Sequence, residues 1–101
     1  MPGFQMPPGM SHRLNLQSKS ETVWTTKATV WGAFVKSEVT RQEEAQQMVE
    51  TLQHQIVIRY RDDVASGWRF LLGGREISIL AIVDPDQSRR FLSCRCEEAA
   101  R

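Results

Sequence analysis

From residue 54 to residue 63 the chain reads HQIVIRYRDD. Ile56, Ile58 and Tyr60 alternate with Val57, Arg59 and Arg61, the period of a strand whose side chains point to opposite faces. The first set is assigned to a core and the second, with its two guanidinium groups, to the outside. Nearer the start, Leu14 and Leu16 alternate with Arg13, Asn15 and Gln17 and predict a short first strand, closed by a turn at SKSE. The stretch TVWTTKATVWGAFVK, 22 to 36, is dense in Thr, Val, Trp and Phe, which suit a pleated, half-buried surface. It exceeds the roughly three to ten residues of an ordinary strand, and Gly32 is where it is expected to bend or bulge. Trp31, Ala33 and Val35 share one face, Val30 and Phe34 the other.

After Val35 the period shifts. Thr40 to Glu43, TRQE, has the form of a capping box. Ala45, Met48, Val49 and Leu52 follow at helical spacing, with Glu44, Gln46, Gln47 and Glu50 on the wet side. Two readings of 38–53 stay open, a helix of about two to three turns or a helical turn followed by an irregular loop. Beyond the opening stretch, GWRFLL and REISILAIV flank Gly73-Gly74, a dipeptide suited to a two-residue hairpin turn. DPDQS closes the next hairpin, with Asp84 and Pro85 in the first two positions of a type I turn. The last strand, RRFLSCRCE, sets Phe91, Ser93 and Arg95 against Leu92, Cys94 and Cys96. Residues 1–11 hold three of the four prolines without periodicity and read as a flexible arm; 12–97 form the single domain and 98–101 a short tail. The predicted fold class is mainly β: a small antiparallel β-barrel of about six strands with one helical or looped insertion, closure being the economical way to remove exposed edges.

Composition narrows the function. The chain has 101 residues, 41% hydrophobic and 25% charged, the balance of an ordinary soluble domain with a modest core. A net charge of +1 argues against a protein whose main work is wrapping phosphate backbones. No apolar run approaches the roughly 20 residues of a membrane-spanning helix, and no secretory signal is evident, so neither membrane nor export is expected. Cys94 and Cys96, at i and i+2 of a strand, lie about 6.5 Å apart, too far for a disulfide, and are expected to be free thiols. His12 and His54 are isolated and no C-x-x-C occurs, so neither a metal nor a cofactor is expected. Asp62-Asp63 read as turn carboxylates rather than a catalytic pair, and His54 as an exposed or edge histidine. Nothing here suggests an enzyme.

Two binding readings compete. A small barrel can carry single-stranded nucleic acid on basic and aromatic residues, here Arg59, Arg61, Arg69, Arg75, Arg89 and Arg90 with Trp68 and Tyr60. Alternation sets Tyr60 on the face opposite Arg59 and Arg61, so the two kinds do not interleave there. A subunit interface explains more: arginine pairs bidentately with carboxylates, and in a ring Arg59 and Arg61 would meet a neighbour's Glu43, Glu44 or Asp62-Asp63 head to tail.

Taken in order, HRLNLQ, ATVWGAFV, RQEEAQQ, IVIRYRDDV, GWRFLLGGREISILAIVD and RRFLSCRCEE resemble the phage head-tail joining proteins. These are the head-closure or stopper subunits of long-tailed phages and of gene-transfer agents derived from them. The resemblance spans His12 to Glu97; the proline-rich arm and Gly32 depart from the family pattern. It implies a non-enzymatic virion component at the neck, assembled in the bacterial cytoplasm, that forms a sixfold or twelvefold ring between portal or adaptor and tail, closes the DNA-filled head and offers the tail a docking surface. On this chain the insertion would face the lumen, with Glu38, Arg41, Glu43, Glu44 and Gln47 as gate candidates. Their acidic groups would repel the passing double-stranded DNA. Arg59, Arg61, Asp62, Asp63, Arg89 and Arg90 become candidates for contacts with neighbouring copies or adjacent rings.

Overall fold

Leu14 and Leu16 are fully buried while Arg13 and Asn15 beside them are exposed, so period-two sorting sets the first strand as expected. The computed structural model describes residues 12–44 and 47–99, with the backbone alone at residues 42 and 44. Six strands follow one another: β1 His12–Ser20, β2 Val23–Glu44, β3 Gln47–Arg59, β4 Arg69–Leu72, β5 Arg75–Val83 and β6 Phe91–Ala99. All pairings are antiparallel, in the order β1-β2-β3-β6-β5-β4, and β4 returns to β1 through Asn15↔Leu71, Leu16↔Phe70 and Gln17↔Arg69. Inside sit Leu14, Leu16, Ile56, Ile58, Phe70, Ile77, Ile79, Leu92, Cys94 and Cys96. Each large apolar side chain there contributes about 1.5–3 kcal/mol before ordering entropy is subtracted.

The expected fold class, a barrel with a helical or looped insertion, is overturned at 38–53. Among the described residues there is no helix; the fold is a six-stranded antiparallel sheet, and the supposed insertion is a continuation of β2 and β3. Glu38 pairs with Gln53, Val39 with Leu52, Thr40 with Thr51, Arg41 with Glu50 and Glu43 with Met48. β-Branched Val39, Thr40, Val49 and Thr51 favour the pleat. A helix would also need a dry surface for Met48, which is 65% exposed. Thr40 and Glu43 form no capping box, since both stand in the ladder. Ala45 and Gln46 of the expected helix, and the arm 1–11, lie outside the described residues.

Other expectations shift by smaller amounts. β1 runs on to Ser20, so the turn falls at Glu21-Thr22, with Glu21 in the left-handed region. β6 continues to Ala99, taking Glu98 out of the tail and into the sheet. The long β2 bulges at Lys27 and Val35 instead of at Gly32. Gly32 serves packing: a Cβ there would lie 2.7 Å from Leu14 Cδ1. Val57, assigned to the outer set, is fully buried between Ala33 and Ser93 of the adjacent strands. The central hairpin turns as expected through Gly73-Gly74, with positive φ at Gly73 only. The 84–90 turn is closed by Gln87 N–H donating to the Asp84 carbonyl at 3.2 Å, which fits Asp84 and Pro85 in its first two positions.

Candidate functional site

Four of the six arginines singled out from the sequence, Arg59, Arg61, Arg89 and Arg90, gather at one pole of the sheet. Arg59 ends β3, exposed and opposite Phe91. Tyr60 N–H donates to the Arg90 carbonyl at 3.0 Å and ties the segment after β3 to the 84–90 turn. Arg61 forks onto Asp63, Nε to Oδ1 at 3.0 Å and Nη2 to Oδ2 at 2.8 Å. That hydrogen bond raises the Arg61 pKa and lowers that of Asp63. Asp62 is exposed beside them. Arg89 adopts a left-handed φ of 60° and its N–H donates to Asp84 Oδ2 at 3.0 Å. Arg90 reaches Asp86 Oδ2 at 2.8 Å and Ser88 Oγ at 3.0 Å. Arg59, Arg61, Arg89 and Arg90 therefore share one surface, although Arg61 and Arg90 already have carboxylates within the chain.

The gate candidates occupy the other pole. Glu38, Arg41, Glu43 and Gln47 stand on the distal β2–β3 ribbon, with Arg41 Nε donating to Glu50 Oε2 at 2.7 Å. The Glu44 side chain lies outside the described residues. Gln47 begins β3 and Arg59 ends it, so at about 3.4 Å per residue the poles are about 40 Å apart. A ring contact that joins arginine pole to acidic ribbon must therefore be made between different chains.

The sequence reading missed a buried polar cluster. His54, expected at an exposed edge, is buried, because it stands in phase with Ile56 and Ile58 on the inner face of β3. Its Nε2 lies 2.9 Å from Glu98 Oε1 and its Nδ1 2.7 Å from Ser37 Oγ. Arg75, at the start of β5, clamps the same carboxylate from the other side, Nε to Oε2 and Nη2 to Oε1, both at 2.8 Å. The Arg75 hydrogen bonds hold the Glu98 carboxyl down at about 2, with His54 assisting and burial opposing. With Glu98 ionised, His54 Nε2–H donates to it, and in the neutral ring Nδ1 accepts the Ser37 hydroxyl proton. Ser, His and Glu stand in the order of a hydrolase triad, yet Arg75 already neutralises the carboxylate that a triad uses to stabilise an imidazolium. The cluster is a staple joining β2, β3, β5 and β6. It was findable in the sequence as polar residues in phase with core positions: His54 with Ile56, and Glu98 with Cys94 and Cys96.

Cys94 and Cys96 are free and buried. Burial pushes the Cys94 thiol up to about 12 and raises Cys96 as well, helped there by Cys94. No group of three or more His, Cys, Asp or Glu among the described residues is placed to hold a metal. Tyr60 and Trp68, proposed as stacking platforms, pack against the core. Trp24 is instead covered by its own chain, with the Arg69 guanidinium 4.0 Å from its ring.

Residues 7–99 match the family described as phage head completion protein. No curated protein matches the sequence. Among solved structures, the chain is similar to one described as the virion of a native gene transfer agent particle. The TM-score is 0.78 and the identity 21%, over 93% of this chain and 98% of that one, a likeness of fold.

Proposed function

The chain belongs to the phage head completion protein family, and from that membership we propose that it works as one subunit of a homo-oligomeric ring at the particle's neck. It is a structural protein of a phage or gene-transfer-agent virion, linking head and tail components. In the proposed ring it stands between portal or adaptor and tail, closing the head after DNA has entered. The observation that carries this reading is the separation of its contact chemistry. The arginine pole and the acidic ribbon sit at opposite ends of one closed sheet, each with exposed charged side chains. A subunit built this way can offer one charged end to a neighbouring copy and the other to an adjacent structure. The ribbon with Arg41, Glu43 and Gln47 is the part that extends beyond the closed sheet, and Glu38 stands at its base.

Removing the chain from a particle-producing host tests the reading. Tailless heads that lose their packaged DNA to added nuclease are expected, and the doubly reversed Arg59→Glu, Arg61→Glu chain should fail to rescue them. Normal tailed particles in the absence of the chain would overturn the assignment. Free double-stranded DNA should bind weakly with a shallow salt dependence, whereas a nucleic-acid-binding module would show a steep one.

A further inference from the structure

Among the described residues, the distal ribbon has little support from its own chain. Past the Thr51↔Ala99 pair β3 keeps only β2 as a neighbour, and past Gly32 β2 has only β3 among the described residues. Two strands without a third are marginal in water. The cross-ribbon pair Arg41–Glu50 is 68% and 42% exposed, where an ion pair contributes little. One face of the ribbon carries Val39, Glu43 and Met48, and Val39 and Met48 are 55% and 65% exposed. A surface lining a DNA channel has no use for those apolar groups; a protein contact does.

The matching surface lies on the outer wall of the same fold. A groove of about 370 Å³ crosses β2, β3, β6 and β5; it includes Lys36, Ala81, Val83 and Arg95, with the acidic Glu38 at its rim. Arg95 is paired in register with Ala81, and Val83 stands two residues further along β5. Cation and apolar groups thus lie side by side. On the ribbon, Glu43 directly opposes Met48, presenting acid and thioether in the same way. Neither Lys36 nor Arg95 joins an ion pair among the described residues.

We propose that the β2–β3 ribbon of one copy seats in this groove of the next copy, Glu43 against Arg95 and Met48 against Val83. The ribbon cannot reach the groove of its own chain. The rim lies at Glu38↔Gln53, and Glu43 is five residues farther along an extended strand, about 17 Å away and receding. Donor and acceptor surfaces differ, the condition for a head-to-tail contact that closes into a ring. The contact rests on the ring reading and names the surfaces that make it.

The test is a cysteine pair, Glu43→Cys with Arg95→Cys, in purified particles oxidised and run without reductant. The buried native thiols stay silent. A ladder of chain multiples that either single variant lacks is expected. Monomer alone, in particles that contain the chain, would overturn the contact; absence of the chain from particles would overturn the ring reading instead. Glu43→Lys or Arg95→Glu alone should cut the yield of tailed particles by about tenfold or more, as loss of a desolvated charge pair does, and their combination should restore it. Failure of the combination to rescue would refute the proposal.

Discussion

Glu98 is where pH should be felt. Its carboxylate takes two hydrogen bonds from Arg75 and one from His54, and its side chain is only 10% exposed. Those donors bring its pKa from an ordinary 4.5 to about 2. The difference corresponds to ~3 kcal/mol of stability gained by the ionised form on folding. Because the folded pKa is the lower one, this stability is present above about pH 4.5 and drains away as the pH falls towards 2. Linkage puts the loss at about 2 kcal/mol by pH 3. A domain of this size has on the order of 5–15 kcal/mol in total, so the effect is large. The perturbation is Glu98→Gln, which keeps the shape and removes the charge. Urea unfolding followed by tryptophan fluorescence at pH 7, 5, 4 and 3 should show the variant ~3 kcal/mol less stable at pH 7 and 5, the gap closing to ~1 kcal/mol at pH 3. A gap below ~1 kcal/mol at pH 7, or one that stays constant down to pH 3, would refute the claim that the staple holds an ionised carboxylate.

Three further outcomes are expected. Gly32→Val should lower stability by ~2 kcal/mol or more through overpacking against Leu14, Ile56 and Ile58, and a thermal midpoint equal to the parent's would contradict that packing. Gly73→Ala should cost ~1 kcal/mol because its φ of 60° suits glycine, while Gly74→Ala, with open space around it, should be near neutral. The reverse order in denaturant melts would reassign the turn. In the native protein at pH 8, Cys94 and Cys96 should resist a disulfide thiol reagent, since burial keeps both protonated. Release of chromophore before unfolding would show that they are accessible.

The second half of β3 and the strands β4 to β6 were legible because each carries its own local evidence, whether strict alternation or a turn dipeptide. The ribbon was not, because two local signals conflict there. Thr40 to Glu43 and the spacing of Met48, Val49 and Leu52 satisfy a helical template, and Glu, Gln and Met favour it. Val39, Thr40, Val49 and Thr51 favour the pleat, and what separates the two is the long-range ladder, with Arg41 facing Glu50 and Val39 facing Leu52. Symmetric pairing about the Glu44–Gln47 end was visible in the residues, but it acquires weight only when the flanking strands are already known to be neighbours. The staple failed to appear for a related reason. His54 and Glu98 each read as ordinary end residues, and Arg75 as a turn flank. Extending the alternation by one step into His54, and to Glu98 beyond Cys96, places two ionisable groups on the dry side of adjacent strands. Burial without a partner would cost several kcal/mol. That cost obliges a charge such as Arg75 to be found nearby, so phase alone is enough to demand the cluster, though only the β5–β6 register says which arginine supplies it.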